Sequence, residues 1–242
     1  METITADVNA VEAPKPPEKN QKYWRQLDLM SPEKLNEWSF ALVGAGSVGS
    51  WAALALAKMG AQKITVWDRD VVDEHNVSCQ VYQSYAVGKR KVEVLAGIVQ
   101  DLTDQQVVGI VQHLDKDARP TFDDQTILVM AVDNMDARKH LWEVAKACPA
   151  IRLVIDVRMG GEVLRMYAVN PHDPMHEAFY EENLYSSEEG EHLPCTSQAV
   201  SYSSFFSAAF IASTVSSFVN GVPFRNETTF HCRQHKLIGS QV

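Results

Sequence analysis

The sequence predicts an α/β protein with a doubly wound, mostly parallel sheet that continues antiparallel beyond its middle. Three observations predict it. Short apolar runs alternate with helix-period runs from Phe40 to Val157, the pattern of strands joined by crossover helices. A glycine-rich turn, "GAGSVG" from Gly44 to Gly49, follows the first apolar run. Gly160-Gly161 in "RMGGEVLRMYAV" separates two β-like runs, which is a hairpin signal.

The elements follow in order. Residues 1–20 hold Pro14, Pro16 and Pro17 among charged and small residues, which predicts a flexible arm. Ser31-Pro32 marks a helix start, a cap followed by proline in the first turn. Phe40–Val43 reads as the first strand and Ser47–Met59 as its helix. Ile64–Trp67 is the second strand and ends at Asp68. Lys91–Leu102 reads as a helix, and Gln106–Leu114 alternates like a strand. Ile127–Val132 is a continuous apolar run suited to a buried strand. Met135–Ala147 is helical and Leu153–Val157 is another strand. Residues 171–194 have little periodicity and seven acidic residues, so 171–195 is expected as a long crossover loop. A serine-rich apolar helix follows, then a tail over 222–242. One domain, 21–221, lies between arm and tail.

Composition narrows the classes. The chain is 45% hydrophobic and 22% charged, ordinary for a globular core. Its net charge of −9 opposes general nucleic-acid binding, which needs a basic stripe. Four cysteines occur, none in a CxxC pair, and no apolar run opens the chain; a reducing cytoplasm is the expected setting. Cys195 to Phe224 carries no charge but has eight serines between Ser197 and Ser217. That reads as a buried or interface helix rather than a membrane span.

Gly44, Gly46 and Gly49 form GxGxxG between a strand and a helix. Such a turn brings backbone close to phosphate and aims helix amides at it. Asp68 follows at the distance expected of an acid that binds a ribose hydroxyl. These features fit NAD or ATP equally. The continuation discriminates: "WDRD", with Asp68 and Asp70, precedes Asn76 and Gln80; "VGKRK" and then "AVDNMDAR" follow, with "YWRQ" upstream. An enzyme that activates a carboxylate with ATP needs a metal-binding acid and cations around the triphosphate. A dehydrogenase does not.

This ordered series resembles the ubiquitin-activating-enzyme-like superfamily, the ThiF/MoeB/HesA group, over about residues 21–221. The resemblance implies a Rossmann-like adenylation domain. It assigns ATP binding to Gly44, Ala45, Gly46 and Gly49, and the ribose to Asp68 of the Asp68–Asp70 pair. Asn76 falls on the family's asparagine. Lys91 falls on its phosphate lysine, with Lys89 and Arg90 as close competitors. Asp133 corresponds to the acid that organises Mg2+-ATP, so it counts as both catalytic residue and magnesium ligand. Arg25 corresponds to an arginine that reaches the partner subunit's ATP, which implies a homodimer.

The chain departs from the family pattern in two places. "NVSCQ" puts Cys79 where an arginine that touches the phosphates is expected, and thiol and guanidinium are not equivalent. Arg69 or Arg90 could supply that charge. Many relatives hold a structural zinc in two CxxC pairs. Here only His231, Cys232 and His235 cluster, so a structural zinc is not expected. Cys195, after the acidic loop and before a helix start that favours thiolate, corresponds to the cysteine that accepts the activated partner as a thioester.

The expectation is ATP-dependent activation of a ubiquitin-like protein. Adenylation of its carboxyl terminus would be followed by thioester formation on Cys195 and transfer to a conjugating enzyme, with no nucleic acid or membrane involved. The alternatives are a sulfur-carrier adenylyltransferase, an NAD-dependent oxidoreductase and a non-catalytic scaffold.

Overall fold

The computed structural model describes residues 18–114, 120–186 and 199–242. Its centre is an eight-stranded sheet in the order β3-β2-β1-β4-β5-β6-β7-β8. The strands are β1 (Ser39–Val43), β2 (Ile64–Trp67), β3 (Val107–Ile110), β4 (Thr126–Met130), β5 (Ile151–Gly160), β6 (Val163–Val169), β7 (Glu227–His231) and β8 (Lys236–Ser240). The first five pair in parallel; β5 to β8 pair antiparallel. The predicted fold class is the observed one. The chain runs outward from β1 to β3 and returns to β4 on the other side, so strand order reverses between β1 and β4. Open α/β sheets bind ligands in the crevice at such a reversal.

The helices are α1 (Pro32–Leu35), α2 (Gly49–Met59), α3 (Lys91–Thr103), α4 (Met135–Ala147), α5 (Pro174–Glu181) and α6 (Ser201–Val219). Strand residues alternate between two cores. Phe40 and Leu42 join α2, α3 and α6 on one face, while Ala41 and Val43 join α4 and α5 on the other. This two-sided burial is why the parallel strands read as continuous apolar runs. α6 is long and apolar enough to cross a membrane by length and composition. In the fold it packs on α2, with Phe205 edge-on to Trp51 at 4.7 Å, and it buries Ser203, Ser204, Ser207, Ile211 and Val215.

Several expectations shift. The Gln106–Leu114 strand is only four residues long, because its partner β2 offers four pairing positions. β5 extends to Gly160, because the hairpin at Gly161-Glu162 pairs it along its length with β6. The expected loop starts with a helix: Asp173 caps α5 by accepting from Met175 N and His176 N, and Pro174 follows. The segment from residue 222, read as a tail, contributes β7 and β8 to the sheet. Residues 1–17 of the expected arm lie outside the described residues, and Glu18–Gln26 forms a 3-10 segment.

Candidate functional site

The glycine turn sits at the carboxyl end of β1, bonded to both neighbouring strands. Gly44 N donates to Trp67 O, and Ala131 N donates to Val43 O, each at 2.8 Å. Two of its glycines are required by packing. Gly44 has φ +100°, and a Cβ there would lie 2.9 Å from the Ala131 carbonyl carbon and strike its oxygen. A Cβ on Gly49 would strike the Gly44 carbonyl. Gly46 differs. A Cβ there meets only Gln80 Nε2, at 4.0 Å, so its outer side is open. Packing does not require glycine at 46; a ligand pressed against the backbone would.

Side chains hold the turn from both sides of Ala45. Asp68 Oδ2 accepts from Ala45 N at 2.7 Å, and Tyr82 Oη donates to Ala45 O at 2.7 Å. Asp68 Oδ1 also accepts from Asp70 N at 2.7 Å. Burial pushes the Tyr82 hydroxyl far above its ordinary pKa, aided by the charges of Asp68 and Asp70. Tyr82 therefore remains a donor at any physiological pH. Its role carries no motif signal, since a tyrosine in "QVYQS" reads as ordinary loop or core.

A stitched loop carries the remaining groups to the same crevice. Val72 N donates to Lys89 O and Gly88 N to Val72 O, which places Asp70 over the start of α3. Lys91 is buried; its Nζ lies 3.3 Å from Asp70 Oδ2. Asn76 is also buried, and its Oδ1 accepts from Asp73 N at 3.0 Å. Lys89 and Arg90 are exposed, and Arg90 Nη1 turns to the Arg69 carbonyl at 2.6 Å. Cys79 is half-buried, fixed by a bond from Trp51 Nε1 to its carbonyl. Burial pushes its thiol up, with Ser78 and the Lys91 charge opposing. Burial thus favours the neutral thiol. Gln80 Oε1 is buried without a hydrogen-bond partner. The Gln80 atom nearest the open side of Gly46 is its amide nitrogen, a donor suited to a ligand acceptor.

Asp133 follows β4 across the crevice. It is exposed, and its Oδ1 accepts from Asn134 Nδ2 at 3.1 Å. Asn134 caps α4 through Ala137 N. One exposed carboxylate near the glycine turn would suit Mg2+, which takes one or two carboxylates plus substrate phosphates. Among the described residues, no group of three or more His, Cys, Asp and Glu could hold a metal by itself. His231 ends β7, and Cys232 is buried beside it.

Arg138 of the "DNMDAR" stretch does not face the crevice. It is buried, and its Nε bonds Asp156 Oδ1 at 2.9 Å while its Nη2 donates to the carbonyls of Val132 and Val157. The guanidinium thus ties the ends of β4 and β5 together just ahead of Asp133. Asp156, fully buried, also takes Arg158 Nε at 2.7 Å and Tyr180 Oη at 2.9 Å. Burial opposes the charge on Arg158, but Asp156, Tyr180 and Tyr167 together outweigh it, so the group stays protonated.

One expected catalytic residue lies apart. Arg25 is exposed on the 3-10 segment, which is anchored at the far ends of α2 and α3. Gln26 Nε2 donates to Met59 O at 2.7 Å, and Lys22 Nζ to Thr103 O. The glycine turn is at the opposite end of α2, about 16 Å away at 1.5 Å per residue. Arg25 therefore does not join its own chain's cluster. Cys195 lies outside the described residues.

The comparisons with known proteins can be set against this geometry. Residues 18–236 match the ThiF family. The chain belongs to that family. It is 30% identical over 113 residues to tRNA threonylcarbamoyladenosine dehydratase of Bacillus subtilis strain 168, covering 45% of this chain and 44% of that one. It is 29% identical over 123 residues to ubiquitin-like modifier-activating enzyme 5 of Oryza sativa subsp. japonica, covering 44% and 29%. It is 34% identical over 118 residues to adenylyltransferase and sulfurtransferase MOCS3 of Aedes aegypti, covering 47% and 26%. The chain thus spans less than half the length of these curated relatives. A crystal structure of E. coli MccB with ATP shares its fold, with TM-score 0.71 and 19% identity over 92% of this chain and 71% of that one.

Proposed function

We propose that this ThiF-family chain is an ATP-dependent adenylyltransferase that activates the carboxyl terminus of a ubiquitin-like protein. One observation carries the reading. At the sheet's reversal point, Asp68 and Tyr82 clamp a glycine turn whose Gly46 side is open, with only the Gln80 amide nitrogen near it. The adenylyltransferase and ubiquitin-like-activating relatives support it. A bound ATP supplies an α-phosphorus that a carboxylate can attack, releasing pyrophosphate.

The chain's own groups have distinct tasks. Turn amides and the start of α2 receive phosphate oxygens. Asp68 orients the turn and keeps lone pairs toward a ribose. Lys91 neutralises charge that develops on phosphate, and Asp133 holds magnesium. With Cys79 in the arginine position, Lys91 is the cation whose charge acts on that gap. Arg25 completes the site of a second copy in a homodimer. Cys195 accepts the acyl group as a thioester and hands it to a conjugating enzyme. A sulfur-carrier partner would use every step but the last two. The protein works in the cytoplasm.

ATP–pyrophosphate exchange that depends on the partner tests the reading. Asp133→Ala should abolish exchange, and Cys195→Ala should retain it while losing any thiol-sensitive adduct. Mixed Arg25→Ala and Asp133→Ala dimers should regain part of the activity. No exchange with any ubiquitin-like partner would reject the reading.

The B. subtilis tRNA dehydratase match favours a second reading, in which a carboxyl group on tRNA is the target. The net charge of −9 weighs against it. Salt-sensitive tRNA binding by filter retention would promote that reading.

A further inference from the structure

Arg158 has a donor without an acceptor. Its Nε is bonded to Asp156, and its Nη1 donates to the Asn183 carbonyl at 2.8 Å. Its buried Nη2 has no hydrogen-bond partner. Leaving a buried guanidinium N–H unmet is costly, and the group has no acceptor capacity of its own to compensate. Three tyrosine rings surround the guanidinium, with centroids 4.5 Å (Tyr167), 5.8 Å (Tyr180) and 5.6 Å (Tyr185) from its carbon. Their faces stabilise the cation, and the Tyr180 hydroxyl donates to Asp156. The side chain is only 11% exposed. Tyr185, at the rim, is 39% exposed.

The position of this donor suggests what it receives. Asp156 pairs with Met130 in the β4–β5 register, so Arg158 lies beside the chain that leads from β4 into Asp133. The glycine turn is two strands away. Neighbouring strands are about 4.8 Å apart and an extended peptide advances about 3.3 Å per residue, so roughly three peptide residues bridge that distance. A peptide with its terminal carboxylate over the glycine turn would pass Arg158 about three residues earlier.

We propose that Arg158 Nη2 receives a backbone carbonyl oxygen in the extended carboxyl-terminal tail of the protein that this enzyme activates. Tyr185 is the cover that shifts to admit the tail. Asp156 fixes the guanidinium plane, so the bond is directional and reads the path of the tail rather than its charge. The proposal rests on the adenylation reading above, and its test separates the two.

The probes are a series of synthetic heptapeptides with free carboxyl termini ending in Gly-Gly. Each has an analogue whose third carbonyl from the end is reduced to a methylene. Pyrophosphate exchange is measured in wild type, Arg158→Lys and Arg158→Gln. Lys keeps a cation beside Asp156, and Mg-ATP affinity and melting curves report on fold. Arg158→Lys should raise KM for the intact peptide about tenfold, with kcat and KM for ATP unchanged and no effect on the reduced analogue. Tyr185→Ala, at the rim, should raise the same KM by a smaller factor. An intact-peptide KM equal to wild type in both Arg158 variants would overturn the proposal and leave adenylation standing. Absence of exchange with every free-carboxylate peptide and with intact ubiquitin-like proteins, in a wild-type protein that still binds Mg-ATP, would overturn both.

Discussion

The crevice around the glycine turn and the polar cluster at the end of β5 lie only two strands apart, yet they are built by opposite means. The turn is held mainly through backbone. Asp68 and Tyr82 grip one residue, Ala45, from its two sides, and adjacent strands accept and donate through main-chain groups. The β5 cluster is held through charge. Asp156 is fully buried among Arg138 from α4, Arg158 from its own strand and Tyr180 from α5. A backbone cradle leaves its inner surface free for a ligand. A buried ion cluster spends its polar atoms on itself, which is why one atom left over, Arg158 Nη2, stands out. The difference also separates robustness: loss of a ligand-facing atom spares the fold, whereas loss of a buried countercharge does not.

The sharpest way to break this comparison is Asp156→Ala. It leaves two guanidinium groups buried beside no carboxylate, and a loss of about 3–5 kcal/mol is expected by chemical denaturation. A loss under about 1 kcal/mol would show that water or other groups already serve those arginines. The next effect contrasts two glycines of one turn. Gly49→Ala drives a methyl into the Gly44 carbonyl and should cost about 1–3 kcal/mol. Gly46→Ala should cost under about 0.5 kcal/mol while weakening Mg-ATP binding in calorimetry. If both variants lost stability equally, Gly46 would be a packing residue and its open side would carry no argument.

The smallest expected effect sharpens the charge side of the comparison at the surface. Lys146 lies 2.7 Å from Glu181 and near Glu143 and Glu177. Its ammonium, with Trp142 Nε1, holds the Glu181 carboxyl below the usual carboxylate range. A lowered carboxyl contributes stability above its ordinary pKa and loses it as pH falls through the lowered value. Lys146→Met should therefore cost under about 1 kcal/mol at neutral pH, since these groups are solvent-screened. The difference from wild type should vanish in acid, where the carboxyls are protonated. Melting curves across pH read both limits.

The sequence made the backbone-built crevice readable because its parts lie close together in order. A four-residue apolar run, a glycine turn and an apolar helix are contiguous, and β2 and α4 have the bounds their patterns predict. The β5 cluster was hidden because its polar groups come from residues 138, 156, 158 and 180, which share no period. Arg138 even reads as part of the nucleotide series until its bond to Asp156 is seen. α5 was masked by the acidic, proline-containing segment around it, although Asp173-Pro174 is a valid start signal. β7 and β8 gave no signal because β8 is exposed along its whole length, so no buried alternation marks it. Cys79 was readable as a departure, but only the fold shows that burial pushes its thiol up.

The central claim is that the Gly44–Gly49 crevice binds ATP for adenylation, and calorimetric titration of the full chain tests it most directly. Mg-ATP and NAD are titrated in turn into wild type, Asp133→Ala and Gly46→Ala. The account predicts a clear Mg-ATP isotherm in wild type, weakened in both variants, and little heat with NAD. Saturable NAD binding with no response to Mg-ATP would contradict it.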